Sequence, residues 1–483
     1  VAAALPFPVR SAKGALLAGL AATLLAVGAW YRIEMIARQP EVRADGWIRY
    51  VPMARNLMAG RGFSTDHHPP YRPTTHEVPG YPLFLATLFA VSGESLRFAV
   101  AVQVLLELAG VALAGQLART LTRSTPLGAA AALLGLGCVF LPSNAADFQA
   151  MDLAWPVQTA LATLFALHLA RTDLLPVRLW VATGALAGVS ALIRVDTYLI
   201  VALALPLFVA HAIERKSQRR GLLRGLATAS LSFLLVVSPW IIRDRVVMGR
   251  WQLLSVGQFS YSHVGAGFKA WMDTWADDGS YLEMYAWGSF EQRSDRFPAA
   301  LVVDDNEREA AEALFARAKA AAVEPLPDNI DRGFLELAER ARRARPFSMV
   351  SVGLRRALTT WIGVPRTTIV PRGARRPAML AVYGYWTALL VLAGVGGRWL
   401  LQERPPAFVF LLALVAARTA IPFASAWGMA GYYLFPAVPA VLIFAARGLF
   451  DVAGLDIDGR PSPTVGPSSW RAAKAHIRNG NPS

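Results

Sequence analysis

Residues 179–213 read LWVATGALAGVSALI (179–193), RVD (194–196) and TYLIVALALPLFVAHAI (197–213). Each apolar run is close to the ~17 residues with which a helix crosses the ~30 Å of hydrocarbon in a bilayer. Only three residues separate the runs, and two of those are charged. Charge beside a span is costly, so Arg194 and Asp196 are site candidates from the outset. Similar runs lie near 97–118, 126–142, 153–170, 222–242, 377–397, 405–424 and 432–450. The stretch Gly14–Trp30, behind Arg10 and Lys13, is the tenth. A signal peptide cleaved near Val27-Gly28-Ala29 competes with an uncleaved anchor there; the run is long for a signal, which favours the anchor.

Composition points the same way. The 483 residues are 55% hydrophobic and 17% charged, with a mean hydropathy of +0.39, whereas soluble domains carry roughly 25% charge. The apolar content also excludes general disorder. A formal charge of +15 would suggest nucleic acid in a soluble chain. In a polytopic one it is explained by basic cytoplasmic loops, and no nucleic-acid partner is expected. The lone Cys138 excludes an intrachain disulfide and a CxxC metal site.

Ten spans place ten Lys and Arg, from Arg119 to Arg404, in the short loops of one side and only Arg194 in those of the other. That is the positive-inside pattern. Residues 81–92 are too short to span and read as a re-entrant or interfacial segment; counting them would move Arg215–Arg220 outside. The expected organisation is a transmembrane core over 1–242, with a first outer loop at 32–78. An extracytoplasmic segment, 243–376, is followed by C-terminal spans over 377–450 and a disordered cytoplasmic tail, 451–483. Within 243–376, helices are predicted from Asp305 to about Val323, capped by Asp304, and from about Ile330 to Arg345, capped by Asn329. Residues 346–364 read as an interfacial amphipathic helix.

The ionisable residues near the spans gather on the outer side. They are Asp45, Arg55, Arg72, His76 and Glu77, then Asp147 and Asp152, then Arg194 and Asp196, then Arg243 and Asp244. Transport would place charge at mid-depth; this placement fits a reaction site at the outer surface.

Several blocks carry a family resemblance. They are Asp45-Gly-Trp-Ile-Arg-Tyr50 with Ala54-Arg-Asn-Leu57, Gly60-Arg-Gly-Phe63, and Val78-Pro-Gly-Tyr-Pro-Leu-Phe-Leu-Ala86. Gly184-Ala-Leu-Ala-Gly188 through Arg194-Val-Asp196, Ser238-Pro-Trp-Ile-Ile-Arg-Asp244, and Tyr432-Tyr-Leu-Phe-Pro-Ala-Val-Pro439 follow in order. Together they resemble the GT-C glycosyltransferases, the class of protein mannosyltransferases and the lipid A aminoarabinose transferase. Val195 stands where that class usually has proline and Asp244 where it has asparagine. Gly428-Met-Ala-Gly431 replaces a charge usual before the last block.

The resemblance implies an all-α polytopic, GT-C-like fold of about ten transmembrane helices, interfacial helices and a mainly helical outer-face segment. It implies a multi-pass inner-membrane enzyme whose site faces the periplasm or exterior. The enzyme would move a hexosyl or pentosyl group, with inversion, from a polyprenyl-phosphate donor to a glycolipid, cell-wall glycan or protein of the envelope. Asp45 would be the catalytic base. Arg194 and Arg243 would hold the donor phosphate, with Arg55 and Arg72 in the loop and Arg355 and Arg356 in the later helix. For the span-end arginines, headgroup anchoring is the competing reading. Tyr50, His76, Glu77, Asp147, Asp152 and Asp196 would contact sugar or acceptor.

No cofactor is called for. His67, His68, His76 and Glu77 lack a helical metal spacing, and arginine alone suffices for a phosphate. Trp251, Trp271, Trp275 and Trp287 are candidates for sugar stacking or for the membrane interface. Two other classes stay open. A lipid-linked-sugar flippase is favoured by Glu107 in mid-span, and a glycolipid-binding relative without turnover by the missing charge before Tyr432.

Overall fold

A computed structural model of the chain describes residues 12–37, 50–74, 77–142, 148–170, 176–214, 219–249, 251, 265–277, 305–321, 327–363, 376–403, 405–425, 431–457 and 459. Among the described residues the secondary structure is helical, with no strand. The helices are α1 (Ala12–Ala37), α2 (Tyr50–Met58), α3 (Gly80–Ser92), α4 (Leu96–Thr122), α5 (Thr125–Leu136) and α6 (Met151–Ala170). They continue as α7 (Val177–Ile193), α8 (Thr197–Glu214), α9 (Arg219–Met248), α10 (Ala266–Met272), α11 (Asp305–Ala321) and α12 (Asp328–Ala344). The chain then forms α13 (Ser348–Gly363), α14 (Arg376–Glu403), α15 (Pro405–Ala424), a 3₁₀ turn at Gly431–Ala437 and α16 (Val438–Ala453).

Five of these are long and apolar enough to cross a membrane, by length and composition: within α1, α4, α9 and α14, and over Leu434–Ala453. The other expected runs form shorter or more polar helices, α5, α6, α7, α8 and α15, of 12 to 20 residues. Local chemistry sets several ends. Arg123 closes α4 in the left-handed region (φ 59°), and Ser124 opens α5 by accepting from the Leu127 amide at 3.1 Å. A two-residue reversal follows.

Contacts define two poles. At one, Gln158 of α6 reaches Asp196 and Thr197 where α7 meets α8. Ser425 after α15 reaches Asp273 after α10. At the other, His168, Trp180 and Phe208 stack where α6, α7 and α8 meet, and Ser124 bonds to the Ile457 carbonyl. The first is called the site pole below. The start of α3 packs on the backbone of Leu192 near the end of α7, and its end leads within four residues into α4.

Helix α1 continues through Ala37, past the expected loop start at residue 32. Arg32 therefore lies inside it, and the ion pair with Glu107 is what makes that tolerable: Nε and Nη2 each donate to a carboxylate oxygen at 2.7 Å. Nη1 also donates to the Gly28 and Leu136 carbonyls. Helix α12 starts two residues before the expected cap Asn329, behind Pro327, with no side-chain cap. Its Asp331 carboxylate instead accepts from the Gly267 and Phe268 amides at 2.9 Å, capping the start of α10. Asp304, Trp287 and tail residues 460–483 lie outside the described residues.

Helices α7 and α9 run parallel, with Trp180 over Gly225, Gly184 against Ala229 and Gly188 against Val236. A Cβ at Gly184 would fall on the Ala229 carbonyl oxygen. Small residues four apart let two helices approach this closely where lipid supplies no hydrophobic drive between them. Gly184→Val is expected to lower the thermal midpoint of the purified protein, in line with the about 1–3 kcal/mol of core overpacking. Gly384→Val, where a Cβ meets nothing within 4 Å, leaves it unchanged. Thermal unfolding in detergent checks both.

Candidate functional site

The centre of the site pole is Asp196, in the three-residue link between α7 and α8. Its carboxylate accepts from Arg418 of α15 at 2.7 Å and from Arg194 Nε and Nη2 at 3.2 Å. Gln158 Nε2 adds a bond at 3.2 Å and also donates to Thr197, whose hydroxyl meets that of Ser190 at 2.8 Å. All of these side chains are buried. Burial opposes ionisation of Asp196, but the two guanidiniums outweigh it and hold the carboxyl below the usual range. The expected site residues Arg194 and Asp196 are thus partners of each other.

A second cluster forms where the first loop docks. Val78 packs with Ala191, Val195 and Val237, and Phe63 meets Trp240 edge-on at 4.8 Å. Arg243, near the end of α9, donates to the Thr74 carbonyl at 3.0 Å and to Asp244 at 2.8 Å. Its guanidinium lies 4.7 Å over the Trp240 ring and 5.6 Å from the Phe63 ring centre. It keeps 21% of its side-chain surface open, whereas Arg194 keeps 5%. Arg243 is therefore the more accessible cation of the two.

Glu77 and Tyr50 also come together: the Tyr50 hydroxyl donates to Glu77 at 3.1 Å. Tyr81 stands edge-on to Tyr50 at 4.9 Å and donates to Gln103 at 2.5 Å. Asp152 is buried at the first turn of α6, two turns from Gln158. Other candidates are engaged elsewhere. Arg55 pairs with Glu94 at an exposed surface, and Arg72 pairs with Asp66 within the loop. The Arg72 hydrogen bonds hold the Asp66 carboxyl below its ordinary value. Arg355 pairs with Asp277 at 2.9 Å; buried Arg356 faces Asp273 at 3.5 Å and the Phe423 carbonyl. Asp45, His76 and Asp147 lie outside the described residues. Among the described residues no three His, Cys, Asp or Glu side chains gather as a metal set.

Two expectations change. Trp271 and Trp275 are no sugar platform: both are buried with Phe268, Phe315 and Phe334 in the core of α10–α12. Glu107 is no open carboxylate in a transport path, since Arg32 binds it with two bonds. The sequence reading missed Arg418. The available signal was a single arginine inside the otherwise apolar run 405–424, which is itself a reason to look for a partner.

In the comparisons, the family described as dolichyl-phosphate-mannose-protein mannosyltransferase matches residues 68–242. That segment holds the Glu77, Arg194 and Asp196 region and ends one residue before Arg243. No curated protein sequence matches. Among solved structures, the Archaeoglobus fulgidus oligosaccharyltransferase in its apo form is 13% identical, with a TM-score of 0.48, covering 96% of this chain and 52% of that one. The chain thus spans about half the length of that enzyme. The same organism's AglB, with an inhibitory peptide and a dolichol-phosphate, gives 11%, 0.46, 96% and 52%. ArnT from Cupriavidus metallidurans bound to undecaprenyl phosphate gives 17%, 0.37, 91% and 78%.

Removing one partner of a buried pair strands the other, at about 3–5 kcal/mol. Arg418→Met is expected to destabilise the protein by that order, and Asp196→Asn with Arg418→Met by less than the sum of the two singles. A double-mutant cycle on thermal stability checks this. A carboxyl depressed by folding stabilises above its unfolded pKa and loses that contribution as pH falls through the folded value. The stability gap between wild type and Asp196→Asn should therefore stay constant from about pH 8 to 5 and narrow only below the ordinary carboxylate range.

Proposed function

We propose that the chain is an integral membrane glycosyltransferase of the GT-C type, acting on a polyprenyl-phosphate-linked sugar at the site pole. The observation that carries the reading is the docking of the first loop onto the ends of α7 and α9. It brings Glu77, the Arg194–Asp196–Arg418 cluster and the aromatic-backed Arg243 to one end of the bundle. The match of residues 68–242 to the mannosyltransferase family supports it. With the basic short loops at the opposite pole, the site pole is the outer face of an inner membrane.

In this mechanism Asp45 takes the proton of an acceptor hydroxyl, and the freed oxygen attacks the anomeric carbon. The bond from that carbon to the phosphate oxygen breaks, and the polyprenyl phosphate leaves with the electron pair. Attack opposite the leaving group inverts the anomeric centre. Arg243 offers its open edge to the departing phosphate. Arg194, fixed by Asp196, adds positive potential from behind. Glu77 and Tyr50 flank the path from Asp45 and contact sugar or acceptor. The acceptor is a glycolipid, cell-wall glycan or protein of the envelope.

The test is transfer from labelled polyprenyl-phosphate sugars to an envelope extract by the protein in proteoliposomes. Asp45→Asn is expected to reduce transfer by about 10²–10⁴-fold, as loss of a general base does. Arg243→Ala is expected to reduce it by about 10²–10³-fold, as loss of a charge-stabilising donor does. Arg343→Ala, an exposed residue of α12 paired with Glu339, leaves it unchanged. Transfer at the wild-type rate in Asp45→Asn would remove the proposed base.

A further inference from the structure

Helix α13 leaves α12 across Pro346 and shows two opposed faces. On one, Val352, Gly353, Arg356, Ala357 and Thr360 are buried. On the other, Phe347, Val350, Leu354, Leu358 and Ile362 form a stripe with 51–84% of each residue exposed. Their spacing of three and four keeps all five on one side through every turn. A run of large apolar groups this long on an open face marks a surface made to be covered.

The neighbours of α13 indicate the cover. Gly353 lies against the Phe423 carbonyl, and Trp361 Nε1 donates to Thr419 Oγ1 at 3.0 Å, both on α15. Trp386 of α14 donates to the Trp361 carbonyl at 2.8 Å, and the two indoles stack at 6.3 Å. Thr419 is five residues short of the end of α15. The far end of α13 therefore lies roughly 7 Å below the site-pole end of that helix. Interfacial helices sit about 5–10 Å into the boundary of headgroups and acyl chains. The stripe is continuous with the open apolar flank of the adjoining spans, where Leu380 and Val391 of α14 and Phe423 of α15 are exposed.

We infer that α13 is a bilayer-seated helix. Its stripe from Phe347 to Ile362 lies among the acyl chains of the leaflet at the site pole. Its other side ties the helical unit α10–α12 to the membrane surface. The tie is a double clasp, Arg355 to Asp277 and Arg356 to Asp273, with the Asp273 carboxylate also accepting from Ser425. The unit is thus held over the bundle by a lipid-anchored strut as well as by its chain connections. This holds whatever reaction the site performs.

Site-directed nitroxide labelling tests it on the full chain in phosphatidylglycerol–phosphatidylethanolamine vesicles. Cys138 is fully buried and stays in place, and the parent protein carried through labelling is the blank. Labels go on Leu354→Cys and Leu358→Cys. Leu380→Cys is the lipid reference and Arg343→Cys the water reference; Val350→Cys replaces either stripe variant if it does not fold. The expected result is collision with oxygen over a nickel chelate at the Leu380 ratio, several-fold above Arg343. Chelate-dominated collision, as at Arg343, would overturn the inference by showing a water-facing stripe. Low access to both reagents would overturn it too, placing a second copy or another part of this chain on the stripe.

Discussion

The site pole depends on one carboxylate held by two guanidiniums. Asp196, Arg194 and Arg418 are each buried, and in a low-dielectric surround none of them is tolerable without the others. Because Arg418 arrives from α15, the contact ties the C-terminal helices to the α7–α8 link across 222 residues of sequence. Gln158 brings in α6 through the same carboxylate. Four helix ends are therefore positioned by one polar knot, and a reaction site beside it inherits that rigidity.

Close backbone approach does the complementary work along the bundle. Gly184 and Gly188 let α7 lie against α9, which carries Arg243 to the same end as Arg194. Gly396 and Gly448 play the same part between α14 and α16, where a Cβ on either would strike the other helix's backbone. Arg32 and Glu107 show how the chain manages charge within a span. The guanidinium makes two bonds to the carboxylate and spends its remaining nitrogen on two carbonyls, so Arg32 enters the helix at no cost in unsatisfied donors.

Much of the architecture was legible because hydrophobic run length is a local property. The apolar runs of the sequence all became helices, and the amphipathic pattern at 346–364 became α13 with one open apolar face. The residues of the site were legible as types, since charge beside an apolar run is conspicuous. Their partnerships were not. Nothing in the sequence says that Glu107 answers Arg32, that Asp331 caps α10 instead of its own helix, or that Trp271 fills a core. Each of these depends on which helices pack together, and helical periodicity carries no information about the neighbour.

The sequence by itself determined a polytopic helical membrane protein, the grouping of its ionisable residues on one side, and a resemblance to GT-C glycosyltransferases. Hydrocarbon thickness and the cost of bare charge act on any chain residue by residue, so composition and order suffice to read them. Only the tertiary structure decided that Arg194 and Asp196 are mutual partners, that Arg418 completes them, and that Arg243 is the more accessible cation. Those outcomes rest on distances of about 3 Å between residues far apart in the chain. Such distances are fixed by packing, which is a property of pairs of helices.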